Sequence, residues 1–484
     1  MSSAGHNPDC RSESRPEGRS ETRYDHPSTA RARHPRSAII QVPRPDGEKT
    51  VMEIVHPGSW DGIAPVQGRT DAATFREIER LFRFNILPGK PDSGRVVLIS
   101  LPEELEDPFP VETPHGRIFD RDCRVRYWLN RLYSEGGMTD EGKDFALRDP
   151  EYRRFWRALR DSAAAAIVDV HGGPAHFLPI YRGMGSLRAL SRGRIVFNSH
   201  FFQMETTDCA TVWDVMGNPF GLLVQKGEVI LPPLFGREAL LVDGQSVSRI
   251  ARPDIRDLSV HIGNDAFRHG SNAEFFCRPA YGKTPEGAGI DLAIVGRRIV
   301  GSKAGGGMDI PEGGFALRTA PGYSPSALTV TYEGMEDLRF AVQAGPAMVV
   351  DGAAVRGFGS PFFAGEGPAF PPTVFPLDWE KGRAARIGLG SKDGLPVVLW
   401  VEGRSKVSYT PGLDSCGASL AEFAEACSSL NLDNLINLDG GGSAQICVDG
   451  DRRLRLSDRY PDSGRGAERP VPLGLSFDIL PGIA

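Results

Sequence analysis

The residues best suited to chemistry form one short run, Asn437-Leu438-Asp439-Gly440-Gly441-Gly442-Ser443. A carboxylate is followed by three glycines and a hydroxyl. Each glycine gives up much backbone freedom when it is ordered, so three in succession weaken ordinary structure. What they allow is close approach, because a main chain without Cβ atoms can turn several N–H groups onto an anion. A carboxylate beside such a loop can transfer protons, act as a nucleophile or hold a cation. Carboxyls are normally ionised at pH 7, so a general-acid role for Asp439 requires a raised pKa. The same run could equally be a flexible turn. Other motifs are weaker. Gly282-Lys283-Thr284 ends like a phosphate-binding loop but has Cys277 where its first glycine belongs. Gly441-Gly442-Ser443-Ala444-Gln445 has Gln445 where a serine nucleophile elbow needs glycine. His171 and His176 flank Gly172-Gly173-Pro174 and could hold a metal, or be ordinary loop histidines.

The elements around Asp439 can be read from pattern. Leu435–Leu438 is a compact apolar run that predicts a strand leading straight into Asp439. Just before it, Ser419 and Glu422 have the spacing of a capping box, with Leu420, Phe423, Ala424 and Cys427 at helical intervals. From about residue 195 onward, short runs such as Ile195–Phe197, Ala347–Val350 and Pro396–Val401 alternate with Gly, Pro and Asp. Asp-Gly pairs at 243–244, 351–352, 393–394 and 449–450 predict tight turns between strands. Upstream, Ser37–Val42 and Val51–Val55 read as strands, Ala72–Phe84 as a helix, and Tyr127–Ala165 as two or three packed helices. Residues 1–36 alternate Arg with acidic residues and lack aliphatics, the composition of a disordered tail. The expected organisation is therefore a tail over 1–36, a smaller α/β or helical region over 37–188, and a catalytic domain over 189–484. The expected class is α+β, with a mixed or antiparallel sheet-rich catalytic domain and few helices.

Composition narrows the function. The chain has 484 residues, 40% hydrophobic and 24% charged, with a net charge of -6. That balance suits a folded globular protein and argues against a general nucleic-acid binder, which needs a basic surface. About a fifth of the chain is Gly or Pro, against roughly 12% in ordinary proteins, so long helical bundles are not expected. No apolar stretch approaches the ~18 residues of a membrane span. The N-terminus lacks the apolar segment of an export signal, which points to the cytoplasm. Seven scattered cysteines with no C-x-x-C suggest reduced thiols rather than a disulfide frame or a zinc site.

Asn437–Ser443 resembles the signature of the phosphodiester glycosidase family, and other segments follow in that family's order. Ile195–Phe202 is similar to its early strand ending in Asn-Gly-Gly-Phe-Phe, and Asn218–Val224 to its Pro-x-Gly strand. Val300–Leu317 resembles its Ile-Pro-x-x-Gly-Phe-x-Leu segment, and Val342–Pro346 its Gln-x-Gly-Pro stretch. Arg386–Gly390 and Val401–Arg404 resemble its Arg-x-x-x-Gly strand and Asp-Gly-Arg turn, and Glu468–Val471 its closing strand. The resemblance spans about residues 190–480. Ser199 and His200 depart from it, standing where small residues are usual, as does Glu402 in place of Asp.

The resemblance implies cleavage of a sugar-1-phosphodiester, such as an N-acetylglucosamine-1-phosphodiester, to free sugar and a phosphomonoester. Asp439 is then the leading catalytic carboxylate and Glu402 the second. Arg386 is the expected phosphate clamp, since a planar guanidinium matches two phosphate oxygens. Gly440, Gly441, Gly442 and Ser443 would donate to the phosphate, and Asn198 and Gln343 to sugar hydroxyls. A divalent cation such as Ca²⁺ could sit beside Asp439, although the spacing shows no acidic calcium loop. The alternatives are a non-catalytic carbohydrate- or phosphate-binding module and a glycosidase acting on plain polysaccharide.

Overall fold

The apolar runs around Asp439 become strands because their side chains alternate between two cores. Ile387, Leu389, Val398, Trp400, Ile436 and Leu438 face a large central core. Their neighbours Val397, Leu399, Val401 and Leu435 face the other way, onto Leu420, Phe423, Ala424 and Cys427 of the helix Leu420–Ser428. This period of two is what a sheet buried on both faces requires. A Cβ on Gly388 would lie 3.2 Å from the Phe423 ring, so glycine there lets the helix settle close to the sheet. The helix begins where expected: the Ser419 side chain accepts from Glu422 N, and the Glu422 carboxylate accepts from Ser419 N.

The structure is a computed structural model that describes residues 37–479, apart from 45, 85, 87–93, 102–110, 135–136, 139–143, 145–147, 162–164, 171–174, 205–207, 279, 359–381, 406–408 and 454. The tail expected over 1–36 and His171 lie outside the described residues. The largest sheet has seven strands, in the order Ser37–Pro43, Lys49–Val55, Leu395–Val401, Arg386–Lys392, Asn434–Asn437, Ala347–Val350 and Ala353–Ala354, with antiparallel neighbours. A five-stranded antiparallel sheet runs Ala64–Val66, Gly474–Asp478, Arg194–Asn198, Ile446–Val448 and Asp451–Arg452. Both sheets contribute to the central core, with Phe197, Ile446 and Leu475 coming from the second. A further five-stranded and a six-stranded sheet are built mainly from residues 223–343. The sheet-rich, largely antiparallel class is as expected.

The smaller region expected ahead of the sheets is not set apart. Lys49–Val55 pairs with Leu395–Val401, Ala64–Val66 with Gly474–Asp478, and Gly116–Ile118 with Arg298–Ala304. From residue 34 onward the chain forms one unit. Residues 72–179 do supply the helices Ala72–Arg83, Arg121–Leu132 and Pro150–Asp161. They also supply a small sheet in which Gly94–Ile99 pairs parallel with Ala175–Pro179 and antiparallel with Ala165–Val170. Three of the four Asp-Gly pairs make the expected two-residue hairpins: Asp351, Asp393, Asp449 and the glycines after them all have positive φ. The fourth turn is wider, with Ser246 at φ 66 and the Asp243 carboxylate accepting from Gln245 N and Val247 N. Among the described residues, no helix is long and apolar enough to cross a membrane.

Candidate active site

Sheet register brings three predicted residues to one end of three adjacent strands. Arg386 lies opposite Val401, so Glu402 is the next residue beyond that pair. On the other side Asn437 lies opposite Gly388, and Leu438 N donates to Ile387 O at 2.8 Å, which carries Asp439 to the same edge. There the chain leaves the sheet. Asp439 N donates to Ser199 O at 2.9 Å and Gly441 N to Ala385 O at 2.9 Å. Gly441–Ser443 then form a single 3₁₀ turn, with Gly441 at φ +58. Asn198, at the end of Arg194–Asn198, clasps this loop from both sides. Its Nδ2 donates to Asp439 O at 2.6 Å, and its Oδ1 accepts from Gln445 N at 2.9 Å. The sequence is thus held as an ordered loop rather than a floppy turn.

Asp439 is 5% exposed, and its Oδ2 has no hydrogen-bond partner. Burial pushes its carboxyl up to about 7, against the attraction of the Arg469 guanidinium and the bonds from Ser443 and Gly440. Removing the group from water disfavours its charged form and so favours the protonated acid near neutrality. Three more buried polar atoms around the loop also lack partners: Asn437 Oδ1, Gln445 Oε1 and Arg469 Nε. Buried polar atoms are nearly always paired, so a local group of unsatisfied ones marks a place where solvent or a ligand is expected.

The other predicted residues divide into those beside the loop and those used elsewhere. Asn198 is beside it, but its amide is taken by the clasp. Gln343 is fully committed: its Oε1 accepts from Leu222 N and Leu234 N, and its Nε2 donates to Arg237 O. Arg386 flanks Gly440, where an added Cβ would lie 3.9 Å from Arg386 Cδ. Its guanidinium, however, donates to Ala418 O at 3.0 Å and Gly382 O at 2.9 Å. Glu402 is half-buried, its carboxyl raised by burial, and it accepts from Arg455 N at 3.2 Å. Glu402 and Asp439 are absent from the charges that shift one another. Gly441 N and Ser443 N bond within the protein, to Ala385 O and Gly440 O, so these two loop amides face no anion. His200 is buried and held neutral, its pKa lowered to about 4 by burial. Its Nε2 lies 3.0 Å from Leu222 O and its Nδ1 3.0 Å from Ser199 Oγ.

Residues with no role assigned from sequence complete the site. Arg469, from the closing segment, reaches back under the loop. Its Nη2 donates to Asp458 Oδ2 at 2.7 Å and its Nη1 to Ser443 Oγ at 3.3 Å. Gly442 is what admits this pair: a Cβ there would fall 1.8 Å from Asp458 Oδ2 and 2.5 Å from Arg469 Nη2. The Arg469 side chain is 8% exposed and Asp458's 5%. A second buried carboxyl, Glu312, is raised to about 7 by burial and pairs with Arg278 at 2.6 Å. It lies outside the charges that act on Asp439. With a guanidinium beside Asp439, the loop does not suit a divalent cation. Among the described residues, no three His, Cys, Asp or Glu side chains are grouped so as to hold a metal.

Residues 294–477 match the family described as phosphodiester glycosidase. The sequence has no significant match among curated proteins. Similar solved structures include two of low identity. One is a hypothetical protein from Synechocystis, with TM-score 0.38 and 15% identity, covering 92% of this chain and 62% of that one. The chain therefore spans less than two thirds of that protein's length. The other is the catalytic domain of zebrafish N-acetylglucosamine-1-phosphodiester alpha-N-acetylglucosaminidase, auto-inhibited by its pro-peptide. It has TM-score 0.38 and 9% identity, covering 93% of this chain and 85% of that one. The family resemblance holds over residues 294–477, the stretch that contains Arg386, Glu402, Asp439, the glycine loop and Arg469.

Proposed function

We propose that the protein hydrolyses a sugar-1-phosphodiester, of the N-acetylglucosamine-1-phosphodiester kind, to the free sugar and a phosphomonoester, with Asp439 as proton donor. The observation that carries this reading is the state of Asp439. It is a buried carboxyl near half-protonation at neutral pH, with one oxygen unpartnered, at the head of a glycine loop in the family-matching stretch. In the proposed reaction the bond between the anomeric carbon and the bridging oxygen breaks, and its electron pair goes to that oxygen. Asp439 gives the oxygen its proton. Water adds to the anomeric carbon and releases a proton to solvent, from which Asp439 is recharged. Phosphate is already a good leaving group, so the acid needs to assist only modestly.

The test is turnover of a panel of sugar-1-phosphodiesters and plain glycosides by the wild type and Asp439→Asn. The expected result is phosphodiester hydrolysis that falls about a hundredfold or more in the variant. Undiminished turnover by Asp439→Asn would remove Asp439 from the mechanism. Turnover of plain glycosides alone would indicate a polysaccharide glycosidase. No turnover of any substrate by the wild type would indicate a binding module. In ¹⁸O water, cleavage at the anomeric carbon leaves the phosphomonoester unlabelled, whereas attack at phosphorus would label it.

A further inference from the structure

We infer that Arg469, aimed by Asp458 and admitted by Gly442, is the cation that takes the substrate's phosphate, a role the sequence pattern had suggested for Arg386. The inference rests on the phosphodiester reading above for its substrate class, but its geometry stands separately. A phosphate clamp needs a guanidinium with donors left over. Arg386 spends Nε on the Ala418 carbonyl, in the segment before the capped helix, and Nη2 on the Gly382 carbonyl, just ahead of its own strand. Arg469 is arranged differently. One corner of its fork is fixed to Asp458 at 2.7 Å. The Nη1 corner meets only soft or long acceptors, the Met204 sulfur at 3.3 Å and Ser443 Oγ at 3.3 Å. Its Nε is buried with no acceptor. A guanidinium is always charged and presents five N–H donors, so it has capacity for an anion's oxygens once it is held in place.

The surroundings fit the same role. Arg469 is the largest attraction acting on the Asp439 carboxylate, so the guanidinium and the proposed proton donor are within electrostatic reach of each other. A phosphodiester carries its negative charge on the oxygens next to the bond that breaks. A cation beside the acid is where that charge must lie. Gly442 supports the reading from the other side, because any side chain there would occupy the space where Asp458 and Arg469 meet. Asp458 is a positioning residue: it touches Arg469 and sets its direction.

Inorganic phosphate is the probe. Wild-type crystals soaked in phosphate should show the anion within hydrogen-bond distance of Arg469 Nε or Nη1. Millimolar phosphate, against chloride of equal ionic strength, should raise the melting temperature of the wild type but not of Arg469→Met. Arg469→Lys keeps the charge and loses the fork. It should retain a smaller shift, and its KM for a phosphodiester should rise about tenfold or more while kcat changes less. Asp458→Asn should show the same split in weaker form, which a loss of folding alone would not produce. An anion bound at Arg386 or elsewhere, or a phosphate shift kept in a folded Arg469→Met, would overturn the inference, as would a wild type that binds no phosphate. Phosphate held at Arg469 without phosphodiester turnover would leave this inference standing and overturn the proposed activity.

Discussion

At the scale of single residues, the fold withholds water from Asp439. Its carboxyl titrates near 7 in the folded protein and near 4 in an unfolded chain. Folding therefore takes up a proton between those values. The stability this brings is complete below about pH 4 and is lost as pH rises through about 7. Asp439→Asn should lack this dependence and should gain on the wild type above pH 7 by on the order of a few kcal/mol, seen in paired denaturant melts at pH 5 and 8. For the same reason the proposed phosphodiester turnover should fall above about pH 7, as the proposed proton donor empties. The glycines differ in a way that stability can read. Gly441→Ala meets open space and incurs only its positive φ, about 1–2 kcal/mol. Gly442→Ala drives a Cβ into the Asp458–Arg469 pair and should cost several times as much, with loss of activity. Equal melting temperatures for the two variants would contradict this. Asp439 and the glycines were legible in the sequence because close backbone approach needs runs of glycine. Arg469 was not. Its segment Glu468–Val471 resembles a closing strand but carries no role for the arginine, whose meaning comes from a contact with Asp458 and Ser443 that only folding makes.

At the scale of elements, local chemistry reads well and pairing does not. The helix Leu420–Ser428 was legible because its capping box and apolar spacing lie within nine consecutive residues. Ser419→Ala should cost about 1 kcal/mol in a chemical denaturation curve. The expected activity of this variant is near that of the wild type, since the cap touches the helix and not the loop. The hairpins at 351–352, 393–394 and 449–450 were legible too, because Asp-Gly is one of the few pairs that accept positive φ at both turn positions. Asn198 and Gln343 show the limit. Both are amides at strand ends, expected to donate to sugar hydroxyls. Whether such an amide faces a ligand or the main chain depends on neighbours more than 100 residues away. Here Asn198 ties Asp439 to Gln445, and Gln343 ties Leu222, Leu234 and Arg237.

At the scale of the molecule, the sheet-rich class followed from composition and short apolar runs, but the membership of the sheets did not. Nothing local in Lys49–Val55 says that its partner is Leu395–Val401. A chain starting at residue 56 lacks Ser37–Pro43 and Lys49–Val55 and leaves Leu395–Val401 as an open sheet edge. Compared with a chain starting at residue 37, it should melt at a lower temperature and scatter light increasingly with concentration. Identical behaviour would show that the two strands are dispensable. The strand Arg194–Asn198 has a related position, lying between Ile446–Val448 and Gly474–Asp478. Ribosomes add about 5–20 residues per second, so this strand waits on the order of ten to fifty seconds for its second neighbour to be made. Until Ile446–Val448 is made both its edges are unpaired, and until Gln445 is made Asn198 has no complete loop to clasp. The growing chain therefore carries Arg194–Asn198 as an open strand, exposed to misassociation, until the segment 446–478 has been made. The proposed activity should appear only in chains that extend past Arg469 and through Gly474–Asp478.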